Sequence, residues 1–114
     1  MKVVELHDES GRVVCARCAI ADNPWTRLRG LLGRKSLDAD EGLLIRPTNS
    51  IHMLFMRFPI DAVFLDRELV VLRVVPGLAP WRMAARRGAK AVVELPAGAA
   101  ARAGISVGTR LTYD

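Results

Sequence analysis

Aromatic side chains are scarce in this chain: three Phe, two Trp and one Tyr among 114 residues. A core built with so few rings is aliphatic. A surface of interleaved aromatic and basic residues, on which nucleic-acid bases would stack, is not written into the sequence either. Long apolar runs are missing as well. No stretch approaches the ~18 uninterrupted apolar residues of a membrane helix. Met1-Lys-Val-Val-Glu-Leu6 also lacks the apolar region of a secretory signal. The expectation is a soluble protein of the cytoplasm. Catalytic signatures are absent too: no G-x-S-x-G, no phosphate-binding Walker loop, no H-E-x-x-H and no paired acids at useful spacing.

What is present is an apolar, basic chain. The hydrophobic fraction is 51% and the net charge is +5, from fourteen Arg and three Lys against twelve acids. At this length one domain, residues 1–114, buries roughly 65% of its extended-chain surface, enough for a core without covalent staples. The positive charge suits an anionic partner or simply solubility. No internal repeat, linker or low-complexity segment divides the chain.

The pattern along the chain predicts mostly strands. Met1–His7 and Arg12–Ala19 alternate on either side of the turn cluster Asp8–Gly11, a hairpin pattern. Asn23-Pro24 predicts an N-cap and a first helical residue. Trp25, Leu28, Leu31 and Leu32 follow at helical spacing, and Gly33 sits where the helix would stop. Gly42–Arg46, Leu69–Val75, Ala91–Leu95 and Thr109–Tyr113 read as further strands. Pro76–Trp81 reads as an irregular loop, Arg82–Lys90 as a loop or helical turn, and Ala99–Ala103 as one turn of helix. The fold expected is a small, mostly antiparallel barrel-like domain with one or two short helices.

The segment Ser50–Asp66 is the most informative. It reads as two apolar strands broken by Pro59, with one carboxylate, Asp61, set among apolar neighbours. Strands apolar on both faces are buried on both faces. A lone buried charge is costly, so Asp61 must find a partner. The guanidiniums of Arg27, Arg29 and Arg34 are the natural candidates, since arginine grips a carboxylate through two parallel hydrogen bonds. Such a pair would fix the helix against the barrel, or line a pocket facing a ligand.

Arg27-Leu-Arg-Gly-Leu-Leu-Gly-Arg34, the Phe58-Pro-Ile-Asp61 element with Phe64 and Asp66, Glu94-Leu-Pro-Ala-Gly98, and Gly104-Ile with Gly108 stand in one order. Together they resemble the bacterial and archaeal family called domain of unknown function 192, over about residues 20–112. The resemblance implies a compact β-barrel-like domain with short helices and supplies little chemistry. Where many members read Trp-Met-Lys-Asn-Thr, this chain reads His52-Met-Leu-Phe-Met56, so ligand contacts by those polar groups do not carry over. Many members are exported; no export signal is seen here.

Other candidates are weighed by geometry. Cys15-Ala-Arg-Cys18 is a C-x-x-C, but strand residues three apart face opposite ways, and a metal would need more ligands than His7 and His52 offer. Reduced structural cysteines are expected, with redox work and metal binding as the alternatives. His52, Met53 and Met56 alternate in a way that spoils a copper site, so core packing by methionine is expected. Ser50, His52 and Asp61 crowd two adjacent strands without oxyanion donors and make no triad. Glu94 either meets a barrel-end arginine or lies on the solvated side of an edge strand. Arg82, Arg86, Arg87 and Lys90, behind Trp81, are a solvated face or a docking surface for an anionic partner.

The functional expectation is a non-enzymatic binding or accessory module for a small molecule or protein, without cofactor or metal. Its ligand-binding residues would be Asp61, Arg27, Arg29, Arg34, His52 and Trp81. They would surround a mouth bounded by the Arg27–Arg34 helix, the Pro47–Ile51 turn and the Pro76–Arg87 loop. The rivals are a small enzyme built on Asp61 and an arginine, and an RNA-binding barrel.

Overall fold

A computed structural model describes all 114 residues. The hairpin comes first: β1 (Lys2–Asp8) and β2 (Val13–Ala21) pair antiparallel. Their turn is held by Asp8, whose Oδ1 accepts from Ser10 N at 2.9 Å and Arg12 N at 3.0 Å. Helix α1 (Pro24–Arg29) begins as its sequence dictates, with Asn23 Oδ1 accepting Thr26 N at 2.9 Å. It ends early, at Gly30 with φ of 49°, and not at Gly33. Six residues bury no side chain completely, and Trp25 and Leu28, the first two of the residues at helical spacing, are exposed.

Beyond α1 come β3 (Glu41–Ile45), β4 (Ser50–His52), β5 (Ile60–Leu65), β6 (Val71–Leu78), β7 (Met83–Ala85), β8 (Ala91–Pro96), α2 (Ala99–Arg102) and β9 (Leu111–Thr112). Seven strands form one curled sheet in the order β6-β5-β8-β3-β2-β1-β9, antiparallel except for β2 against β3. The sheet curls until its ends approach. Val70 bridges Arg110, and Leu111 N donates to Leu69 O at 2.9 Å. The result is a half-barrel, mostly strand with two short helices, as the sequence predicts.

Two departures matter. Strand β6 runs on through Pro76 and Gly77, read from sequence as loop. Residues Met83–Ala85, in the stretch read as loop or helical turn, form β7 and pair with β4 in a separate two-stranded sheet. Pairing with a partner outweighs the helical propensity of an Ala-rich stretch.

The central strands β3, β5 and β8 are apolar on both sides because both sides are covered. Leu44, Val63, Leu65, Val93 and Leu95 face one core with β1, β2 and α2. Leu43, Ile45, Ile60, Ala62, Phe64 and Val92 face a second, closed by Leu31, Ile51, Met53, Met56 and Leu78. Period-two alternation puts Asp61 on the first side of β5 and Glu94 on the second side of β8. Gly42 lets three elements meet: a Cβ there would lie 2.9 Å from Cys15 Sγ and 3.0 Å from both Glu94 O and Leu95 Cδ2.

Candidate functional site

Asp61 is buried, as expected, but no arginine reaches it. Opposite it, β6 carries a bulge between the pairs Ile60↔Leu78 and Ala62↔Val75, and the extra residue turns an N–H inward. Gly77 N donates to Asp61 Oδ1 at 2.9 Å, while Gly98 N and Ala100 N donate to Oδ2 at 3.0 and 2.9 Å. Gly98, the N-cap of α2, has no side chain to satisfy the first amides of the helix. Asp61 supplies that cap from another strand. Backbone donors therefore replace the expected guanidinium, and Asp61 is a structural clasp.

The arginines named with it are occupied elsewhere. Arg34 holds Glu41 through two bonds of 2.8 and 3.1 Å. This guanidinium, with help from the Asp38 N–H, keeps Glu41 below the usual carboxylate range. Arg17 makes a similar pair with Asp40, at 2.7 and 2.9 Å, which lowers the Asp40 carboxyl in the same way. Arg27 turns the other way and donates from one terminal nitrogen to Pro47 O at 2.9 Å.

A cavity of about 130 Å³ lies where α1 and the residues after it meet β4 and β8. Arg27, Arg29, His52, Thr48, Ser50 and Glu94 supply its polar lining, and Leu31, Ile45, Ile51, Met53 and Met56 its apolar lining. Of the six residues expected at a ligand site, Arg27, Arg29 and His52 come together here. Asp61, Arg34 and Trp81 are not among the lining residues. The mouth is bounded by the α1 region and the turn before β4, as expected, but the Pro76–Arg87 loop contributes nothing to the wall.

Two polar groups in that lining make no hydrogen bond to the protein, and one of them is fully sealed. Arg27 Nε is buried and bonded to nothing. Glu94 is only 6% exposed, and burial alone pushes its carboxyl up from 4.5 to about 7, with neither a hydrogen bond nor a cation offsetting it. The sequence-based alternatives for Glu94, a barrel-end arginine or a solvated edge, both fail. Strand β8 sits between β5 and β3, and alternation aims Glu94 into the cavity. The signal that flags Asp61, an acid inside an apolar strand, applies equally to Glu94 in Val-Val-Glu-Leu.

The remaining candidates resolve locally. Residues Ala16 and Arg17 stand together opposite Glu5, between the pairs Val4↔Cys18 and Leu6↔Cys15. This bulge turns Cys15 and Cys18 to the same side, both buried and unoxidised. The Cys15 thiol alongside and burial push the Cys18 thiol well above its ordinary range. Met53 and Met56 are both buried because the chain turns between them, while His52 is exposed on the cavity rim. No three His, Cys, Asp or Glu side chains gather in a metal-binding group. No helix is long and apolar enough to cross a membrane.

Comparison with known proteins agrees with this architecture. A UPF0127 protein of Pyrococcus furiosus is 36% identical over 115 residues, spanning 96% of this chain and 97% of that protein. A UPF0127 protein of Thermococcus sibiricus is 31% identical, spanning 96% and 73%. Among solved structures, a candidate transcription regulator from Sinorhizobium meliloti 1021 superposes with a TM-score of 0.84 at 26% identity, over 97% of this chain and 92% of that one. A protein of unknown function from Novosphingobium aromaticivorans gives 0.81 at 25% identity, over 96% and 83%. The profile of domain of unknown function 192, described as "Uncharacterized ACR", matches residues 5–113, and the chain belongs to that family.

Proposed function

We propose that this protein is a non-enzymatic binding module whose ligand sits in the cavity between α1, β4 and β8. The observation that carries this reading is the sealed, unbonded Arg27 Nε in one cavity with the Glu94 carboxyl, which no protein group hydrogen-bonds. Buried polar atoms are normally satisfied, and leaving one unmade costs about 1–3 kcal/mol. A molecule that accepts from Arg27 and bonds Glu94 recovers that cost. The cavity, about 130 Å³, compares with the ~150 Å³ engineered cavity that takes up benzene, so the ligand is of that size. Arg29 and His52 stand on the same lining and set its orientation. Arg34 stays with Glu41, Asp61 with its amides, and Trp81 outside.

The enzyme alternative passes from Asp61 to Glu94. A carboxyl at about 7 is poised for proton transfer, but the lining offers no activated nucleophile beside it.

The test is direct. The Arg27 Nε–H resonance of the labelled protein is followed while acetate, glycine, acetamide and propionate are added in turn. Binding at this site moves that resonance, and Glu94→Gln weakens it at least fivefold; Arg27→Met, followed through the Met53 and Met56 methyl resonances on the same lining, weakens it at least fivefold as well. If every small polar probe leaves the resonance unmoved, or both variants bind as wild type does, the cavity is not a ligand site.

A further inference from the structure

Two bulky aromatic residues occupy backbone positions that normally belong to glycine. Met56 N donates to Met53 O at 3.2 Å, closing a turn with Phe55 third at φ of 64°. Arg82 N donates to Ala79 O at 3.2 Å, closing a second turn with Trp81 third at φ of 71°, behind Pro80. Positive φ at the third residue is the glycine seat of a type II turn, and large side chains there are rare. The two turns are bolted together, with Trp81 N donating to Met53 O and Met53 N to Arg82 O, both at 2.7 Å. Phe55 and Trp81 meet edge to face, centroids 4.9 Å apart at 63°.

This rigid pair faces solvent. Phe55 is 71% exposed and Trp81 59%, with Leu54 and Met83 exposed beside them in sequence. An exposed apolar cap held in strained backbone is a feature that folding alone does not call for. The sequence on either side of the two turns is basic: residues 50–60 and 69–89 carry Arg57, Arg73, Arg82, Arg86 and Arg87 and no acid.

We infer that this tip docks on the surface of an anionic phospholipid bilayer. Phe55, Trp81, Leu54 and Met83 would enter the headgroup layer while the flanking arginines meet phosphate. Trp with aliphatic neighbours suits that interface, and basic residues near a negative leaflet each add attraction. A nucleic-acid base is a poorer occupant. Successive bases of a strand would stack on a run of like-oriented rings, whereas this tip offers two rings crossed at 63° and is partly aliphatic. The exposed side chains of the tip, Leu54, Phe55, Trp81 and Met83, do not line the Glu94 cavity, although Met53 and Met56 of the first turn do.

Full-length protein carrying Trp25→Phe, so that Trp81 is the only tryptophan, is mixed with vesicles of phosphatidylcholine alone or with phosphatidylglycerol added. Anionic vesicles are expected to sediment the protein and to shift Trp81 emission to the blue, with brominated acyl chains quenching it. Phosphatidylcholine alone does neither. Phe55→Gly, and Trp81→Gly read by sedimentation, relieve the backbone strain. Each should leave the melting temperature unchanged or higher while vesicle affinity drops on the order of tenfold. Arg57→Gln and Arg82→Gln should each lower it about fivefold without touching the turns. Absence of sedimentation with anionic vesicles overturns the proposal. So does equal binding by the glycine variants, or binding of single-stranded RNA in place of vesicles.

Discussion

Asp61 and Ala100 stand 39 positions apart, yet the carboxylate of one accepts the amide of the other at 2.9 Å. With Gly77 N and Gly98 N on the same carboxylate, this contact ties β5, the β6 bulge and the start of α2 together. Three N–H groups converge on one side chain that can only accept.

Substitution at Asp61 should therefore grade by how many amides lose their acceptor. Asp61→Asn keeps one oxygen but turns an NH₂ toward a donor, and about 1–2 kcal/mol of stability should be lost. Asp61→Leu leaves three amides unmet and should cost at least about 3 kcal/mol. Urea denaturation measures both. Because no arginine takes part, Asp61→Asn and Arg34→Gln should be additive within about 0.5 kcal/mol. Clear coupling between them would restore the ion pair expected from the sequence.

Gly42→Ala tests packing where β2, β3 and β8 meet. The added methyl would stand 2.9 Å from Cys15 Sγ and 3.0 Å from Glu94 O, so a loss of about 1–3 kcal/mol is expected. Cys15→Ala in the same chain clears the sulfur but not the carbonyl. The double variant should recover part of the loss and not all of it. Full recovery would mean that the backbone of β8 yields.

The two thiols should behave as core residues. Cys15 and Cys18 are 2% and 0% exposed, and the Cys18 thiolate is disfavoured beside Cys15 and by burial. A chromogenic disulfide reagent should label them only as the hairpin opens, on the order of 10²-fold more slowly than in urea. Rapid labelling of the folded protein would return them to the redox alternative.

What the sequence tells follows from the range of the interactions involved. The hairpin, the Asn23 cap and the two-sided burial of β5 were readable because alternation and capping are local. That Asp61 needs explaining was also readable. Its partners were not, since amides of Gly77, Gly98 and Ala100 carry no side-chain signature. The C-x-x-C geometry failed to anticipate one extra residue in β2 opposite Glu5. Strand β7 was hidden because only β4, distant in the chain, makes Met83–Ala85 a strand. Phe55 and Trp81 in glycine seats were invisible except for the hint of Pro80 just before Trp81. Glu94 was open to the reasoning applied to Asp61, and its unmet carboxyl makes it the more informative of the two acids.

That carboxyl sets the last expectation. Glu94 titrates at about 7 in the folded chain against 4.5 as its ordinary value. Between these values the native state holds a proton that the unfolded chain has released, so stability falls as pH rises. Below about 4.5 this group opposes nothing; above about 7 the full difference, about 3 kcal/mol, weighs against folding. Arg27, Arg29 and His52 share its cavity, but burial is the only cause of the shift. Glu94→Gln removes the titration. The stability difference between variant and wild type, measured by urea denaturation at pH 5 and pH 8, should move by up to about 3 kcal/mol in the variant's favour. A difference that does not change with pH would mean that water or a bound cation already serves the carboxylate.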